Sequence, residues 1–150
     1  MWSALDAEFY LAFDAGRDDC VDLAVEHGAG TMLLLPTAYQ EIADLCVQTQ
    51  DEELRTHALD ALKFMTVNNV LAAPTVDKNV GTDEGLAEYL MRAGILAEDQ
   101  KNQALILAEA ACLGVSCLLT LDQEIVAIDE AALAQAIRDK HLNPFVIITG

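Results

Sequence analysis

The stretch CLLTLDQEI, residues 117 to 125, is an apolar run that ends in Thr120, Leu121 and a carboxylate, Asp122. A buried parallel strand reads as a continuous apolar run of this kind, and in open α/β sheets ligands bind just beyond the carboxyl ends of the strands. The same placement recurs twice. The run Trp2-Ser-Ala-Leu5 hands over to Asp6, and after a second run and Pro36 the segment PTAYQEIADL carries Glu41 in the first turns of a predicted helix. Each acid alone reads as an N-cap or first-turn residue, stabilised by the free N–H groups and dipole of a helix start. Together they describe carboxylates aimed at one rim of a sheet. Clustered like charges raise one another's pKa and destabilise the fold unless a cation neutralises them. The set therefore predicts a hard, oxygen-preferring ion, Mg²⁺ or Mn²⁺.

The elements that must position these acids follow from periodicity. Apolar runs predict strands over Trp2 to Leu5, Thr31 to Leu35, Asn69 to Ala72, Ser116 to Thr120 and Phe145 to Thr149. Helical spacing fills Tyr10 to His27, Ala38 to Gln48, Glu52 to Val67, Glu84 to Ala93, Asp99 to Leu113 and Asp129 to His141. Gly28, Gly94 and Gly114 mark helix ends, and Pro36, Pro74 and Pro144 mark loops or element edges. Strands alternating with helices, each crossover long enough for a parallel connection, give one three-layer α/β domain over residues 1–150. In EELRTHALDALKFMTV, the stripe of Leu54, Ala58, Ala61, Leu62 and Met65 is either core or a homodimer face, since one pattern serves both.

Composition narrows the function. A chain of 150 residues can bury a core without disulfide or metal staples. At 53% hydrophobic and 22% charged it is globular in character. Its net charge of −17, from 25 acids against 8 basic residues, opposes generic nucleic-acid affinity, because counterion release needs clustered Lys and Arg. Any RNA contact has to be local, metal-bridged or helped by a basic partner. Arg17, Lys78, Arg92 and Lys101 are the candidates for phosphate, each otherwise a solvated surface residue. Cys20, Cys46, Cys112 and Cys117 form no CxxC pair and read as reduced core residues. No basic segment precedes an apolar leader and no window is long enough to span a bilayer, so a cytoplasmic, membrane-free protein is expected. His27, His57 and His141 pair with no Ser or Cys nucleophile, and neither GxGxxG nor GxxxxGK[ST] occurs.

Four phrases in order resemble a PIN domain across nearly the whole chain: LDAEF, LLLPTAYQEIADL, NQALILAEAACLGVSCLLTLDQEI and the closing NPFVIIT. The resemblance implies a three-layer α/β/α nuclease with a mainly parallel central sheet of about five strands, in many cases the toxin of a prokaryotic toxin–antitoxin pair. It also implies acids after the first strand, in the helix after the second, at the start of the helix before the fourth, and in a T-x-D after the fourth. Asp6, Glu41 and Asp122 match, with Thr120 as the threonine of the last motif. The third position departs from the pattern: NQALI places Gln103 where the family usually has an acid. Asp99, one helical turn of about 5.4 Å earlier, is either a substitute ligand or the cap of that helix.

Carried over residue by residue, the resemblance implies Asp6, Glu41 and Asp122 as catalytic residues. With Asp99 they would hold Mg²⁺ or Mn²⁺, and Thr120 and Gln103 would support them. The implied activity is hydrolysis of single-stranded or loop RNA, with an antitoxin protein as partner. Two alternatives stay open. One is a degenerate, non-catalytic PIN-like domain that binds or scaffolds, which Gln103 and the acidic surface favour. The other is a metal-dependent phosphohydrolase acting on small substrates.

Overall fold

A computed structural model describes residues 2–27, 31–73 and 82–149, the side chains of 82 and 83 excepted. Gly28, Pro74 and Lys78 lie outside those residues. Five short strands form one sheet: β1 (Ser3–Leu5), β2 (Met32–Leu34), β3 (Val70–Ala72), β4 (Cys117–Thr120) and β5 (Val146–Thr149). Their order is β3-β2-β1-β4-β5 and every pairing is parallel. All five predicted strands are present, each shortened at its start or at both ends by backbone that leaves the ladder.

The helices are α1 (Ala7–Asp14), α2 (Asp18–His27), α3 (Pro36–Gln48), α4 (Glu52–Lys63), α5 (Thr82–Arg92), α6 (Lys101–Leu113), α7 (Gln123–Val126) and α8 (Glu130–Asp139). They flank the sheet in a three-layer α/β/α arrangement. Strands covered on both faces must be apolar along their whole length, and Ala4, Leu5, Leu34, Leu118 and Leu119 are all fully buried. From the helices, Phe9, Tyr10, Ile42, Leu90, Leu107 and Ile137 close the core.

The structure corrects the helix expectations at three places. The run Tyr10 to His27 is two helices, because the chain turns at Gly16, whose φ of 81° suits glycine and ends α1. A short helix, α7, follows β4 and had no periodic signal of its own. The predicted helix from Asp99 begins only at Lys101, with Gln100 at the cap position, so Asp99 neither caps it nor shares a helical face with Gln103. Of the α4 stripe, Ala58 and Ala61 are fully buried, and Leu62 and Met65 pack against the core. Those four residues of the stripe serve the core, and Leu54 is half-buried. The four cysteines carry no disulfide. Among the described residues, no helix is long and apolar enough to cross a membrane.

Candidate active site

β1 is the switch point of the sheet: the chain winds from it through β2 to β3 on one side, then returns to place β4 and β5 on the other. A crevice opens at the carboxyl ends of strands where the winding reverses. The sequence delivers its acids there. Asp6 directly follows β1, Glu41 lies in the helix after β2, and Asp122 follows β4 by two residues.

Asp6 is 5% exposed. Its Oδ1 accepts from the Phe9 N–H at 2.9 Å, which caps α1, and its Oδ2 accepts from Thr120 Oγ1. Thr120, itself fully buried, accepts in turn from the Asp122 N–H at 3.0 Å. One hydroxyl thus links the acid after β1 to the acid after β4, which gives the T-x-D spacing a physical reason. Asp122 caps α7 through Oδ1, which accepts from the Glu124 N–H at 2.9 Å, and its Oδ2 accepts from Gln103 Nε2 at 3.3 Å. Asp6 and Asp122 are therefore helix caps and cluster members at once; the two readings were never exclusive.

The electrostatics are those of crowded carboxylates. Burial pushes the Asp6 carboxyl up to about 6, against the lowering effect of the Thr120 and Phe9 hydrogen bonds, with Glu8 and Asp122 adding repulsion. Glu41 is pushed up to about 7, first by burial, then by the charges of Asp6, Asp122, Glu8 and Glu109. Burial and Asp122 also raise Glu8. None of these acids has a Lys or Arg partner among the described ion pairs, which are Arg17–Asp19, His27–Glu26, His57–Asp14 and Arg92–Glu88. Arg17 and Arg92, candidates for phosphate, are each held by an acid of their own.

Two further acids that act on the cluster were not singled out by sequence. Glu8, in the phrase LDAEF, sits two residues after Asp6 in the first turn of α1. Glu109 sits in the apolar run ALILAEAACL and is 3% exposed; a Glu so placed is itself a signal, because an acid is almost never fully buried without partners. Asp99, in contrast, lies exposed ahead of α6, and it is not one of the charges that act most strongly on Asp6 or Glu41.

Carboxylates with raised pKa and no basic partner are a donor set suited to a hard divalent cation. Among the described residues, no group of three or more His, Cys, Asp or Glu side chains is already drawn together at ligand spacing. The charge calls for a cation, while the cage is not preformed.

A scan against protein-family models finds none that matches, and a comparison with curated proteins finds no match either. Solved structures do match. The chain is similar to a chain of VapBC2 from Rickettsia felis, determined bound to a DNA fragment from their promoter, with TM-score 0.62, 14% identity and coverage of 100% of this chain and 99% of that one. It is similar to a chain of VapBC-1 from nontypeable Haemophilus influenzae, with TM-score 0.62, 15% identity and coverage of 99% and 98%. VapBC-5 from Mycobacterium tuberculosis, of the VapBC family of toxin–antitoxin systems, gives TM-score 0.61, 19% identity and the same coverage of 99% and 98%. The chain has a PIN-like fold. At these identities the likeness establishes the architecture of the PIN-like domain end to end; its chemistry must be argued from its own residues.

Proposed function

We propose that this PIN-like domain is a divalent-metal-dependent ribonuclease, the toxin of a toxin–antitoxin pair. The observation that carries the proposal is the delivery of Asp6, Glu41 and Asp122 to one rim from three separate segments, at the switch point of the sheet, with no ion pair to a basic side chain among the described residues. Such a cluster costs stability as it stands and gains from a cation. Asp6, Glu41 and Asp122 would hold Mg²⁺ or Mn²⁺, with Glu8 adjacent. When bound, such an ion supplies the Lewis acidity for in-line attack of water on a phosphodiester. Thr120 keeps Asp6 and Asp122 in fixed relation, and the burial of Asp6 excludes water from that side of the rim. Single-stranded RNA is the substrate class we infer, since its splayed bases can be held by stacking and edge contacts and need not rely on a basic surface alone. The VapBC neighbours favour an antitoxin partner. A net charge of −17 suits a partner segment rich in Lys and Arg.

One observation favours a second reading. Gln103 stands where the family's pattern has an acid, and its amide donates to Asp122 Oδ2, which steadies that carboxylate without a cation. A PIN-like domain that has exchanged an acid for an internal hydrogen bond would bind or scaffold without cutting.

Cleavage of a mixed-sequence single-stranded RNA by purified protein with Mn²⁺, against EDTA and against Asp122→Asn, separates the two. Asn remains a good helix cap, so α7 stays capped while the charge is lost. Cleavage abolished in both controls supports the nuclease. A folded wild-type protein that leaves RNA intact counts against the nuclease and favours the non-catalytic domain.

A further inference from the structure

We propose that Glu109 is the positioning residue of the acidic rim: a carboxylate on α6 that caps the start of α3 from across the domain and so fixes where Glu41 stands. The role given to Glu41 rests on the nuclease reading above.

α3 begins without a cap of its own. Leu35 occupies the cap position and makes no side-chain cap bond, and Pro36, which has no N–H, follows it. The first free donor of the helix is therefore the Thr37 N–H. Glu109 Oε1 accepts from it at 2.9 Å, and Glu109 Oε2 accepts from Thr37 Oγ1 at 2.5 Å. Two parallel bonds from one carboxylate to one residue define direction as well as distance. The site is also the positive end of the α3 dipole, which favours a carboxylate there.

The geometry reaches the rim on both sides. Glu41 lies four residues beyond Thr37, one turn along the same helical face. Gln103 precedes Glu109 on α6 and donates to Asp122. One buried carboxylate therefore ties the helix that carries Glu41 to the helix that touches Asp122, and α3 and α6 pack directly on each other. Residues that orient ligating carboxylates change metal affinity by about 10- to 100-fold when removed. Glu109 meets that description without reaching the rim itself.

The test compares the full-length wild type with Glu109→Ala, Glu109→Gln and Thr37→Val, using amide hydrogen exchange over Thr37 to Glu41 and calorimetric Mn²⁺ binding well below each melting temperature. Glu109→Ala is expected to speed exchange in the first turn of α3 and to weaken Mn²⁺ binding by about tenfold or more. Glu109→Gln should stay near wild type, because its Oε1 can accept from the Thr37 N–H and its Nε2 can donate to Thr37 Oγ1. Thr37→Val, which keeps the N–H and loses the hydroxyl, should fall between, and it carries the test if Glu109→Ala does not fold. Unchanged exchange in Glu109→Ala overturns the proposal. So does a Glu109→Gln protein as impaired as the alanine variant, which would mean that Glu109 acts through its charge. Faster exchange with Mn²⁺ affinity intact would reduce Glu109 to a structural brace. A wild type that binds no Mn²⁺ sinks the nuclease reading instead, and the exchange data then decide by themselves whether Glu109 holds α3.

Discussion

Asp6 and Glu41 hold their protons to higher pH in the folded chain than in the unfolded one, and the sign of the consequence is definite. Their ordinary values are 3.8 and 4.5, raised in the fold to about 6 and about 7. Between those limits the folded state binds the extra protons, so the stability they give is full below pH 4 and is lost as pH rises through 6 and 7. Without metal, the melting temperature should fall between pH 5 and pH 8. Glu41→Gln should flatten the upper part of that fall, and a slope unchanged by Glu41→Gln would place the titrating charge elsewhere. Added Mn²⁺ at pH 8 should recover the lost stability in the wild type, by linkage to the folded state alone, and do so less in Asp122→Asn. At the third position, Gln103→Asp should raise Mn²⁺ affinity if the amide there has replaced a ligand. An affinity left unchanged would favour the internal hydrogen bond to Asp122 as the purpose of that residue.

The secondary-structure elements divide into those whose signal is local and those whose signal is tertiary. Runs such as Met32-Leu-Leu34 and Cys117-Leu-Leu-Thr120 were legible as buried parallel strands because both of their faces are covered, which forces an unbroken apolar sequence. Asp6 and Asp122 were legible as rim acids because the carboxyl end of a strand is a fixed place in such a sheet. The break at Gly16 was not, since the apolar spacing of Phe9, Tyr10, Cys20 and Ala24 continues across it in register. Asp99 was misplaced for a related reason: periodicity fixes a helix face well and a helix end poorly. Glu109 was invisible to cap and rim rules, because its partner, Thr37, lies 72 residues away. Where a backbone torsion decides an element, a single side chain should matter. Gly114 ends α6 at φ 70° in the left-handed region, with its N–H donating to Ala110 and Ala111 carbonyls. Gly114→Ala has open space for its methyl yet should lower stability by about 1 kcal/mol from backbone strain, read as a shift of the urea midpoint. A midpoint unchanged within error would mean that the turn relaxes into another cap.

For the molecule as a whole, charge sets the conditions under which the rim can meet a polyanion. At −17, approach of RNA is opposed at low ionic strength. Cleavage should therefore rise from low to moderate salt as the repulsion is screened, and fall only when specific contacts weaken. A rate that falls monotonically from the lowest salt would point to a basic contact outside the described residues. The sheet has a further consequence, which concerns the order of synthesis. β1 is flanked by β2 on one side and β4 on the other, and Thr120, which bonds Asp6, is 114 residues later in the chain. A nascent chain that ends before β4 has its first acid in place and neither the hydroxyl that holds it nor the carboxylate that faces it. Whatever the rim does, the ribosome that makes this protein is exposed to it only once β4 and Asp122 have been synthesised, and products terminated before them are expected to be inert.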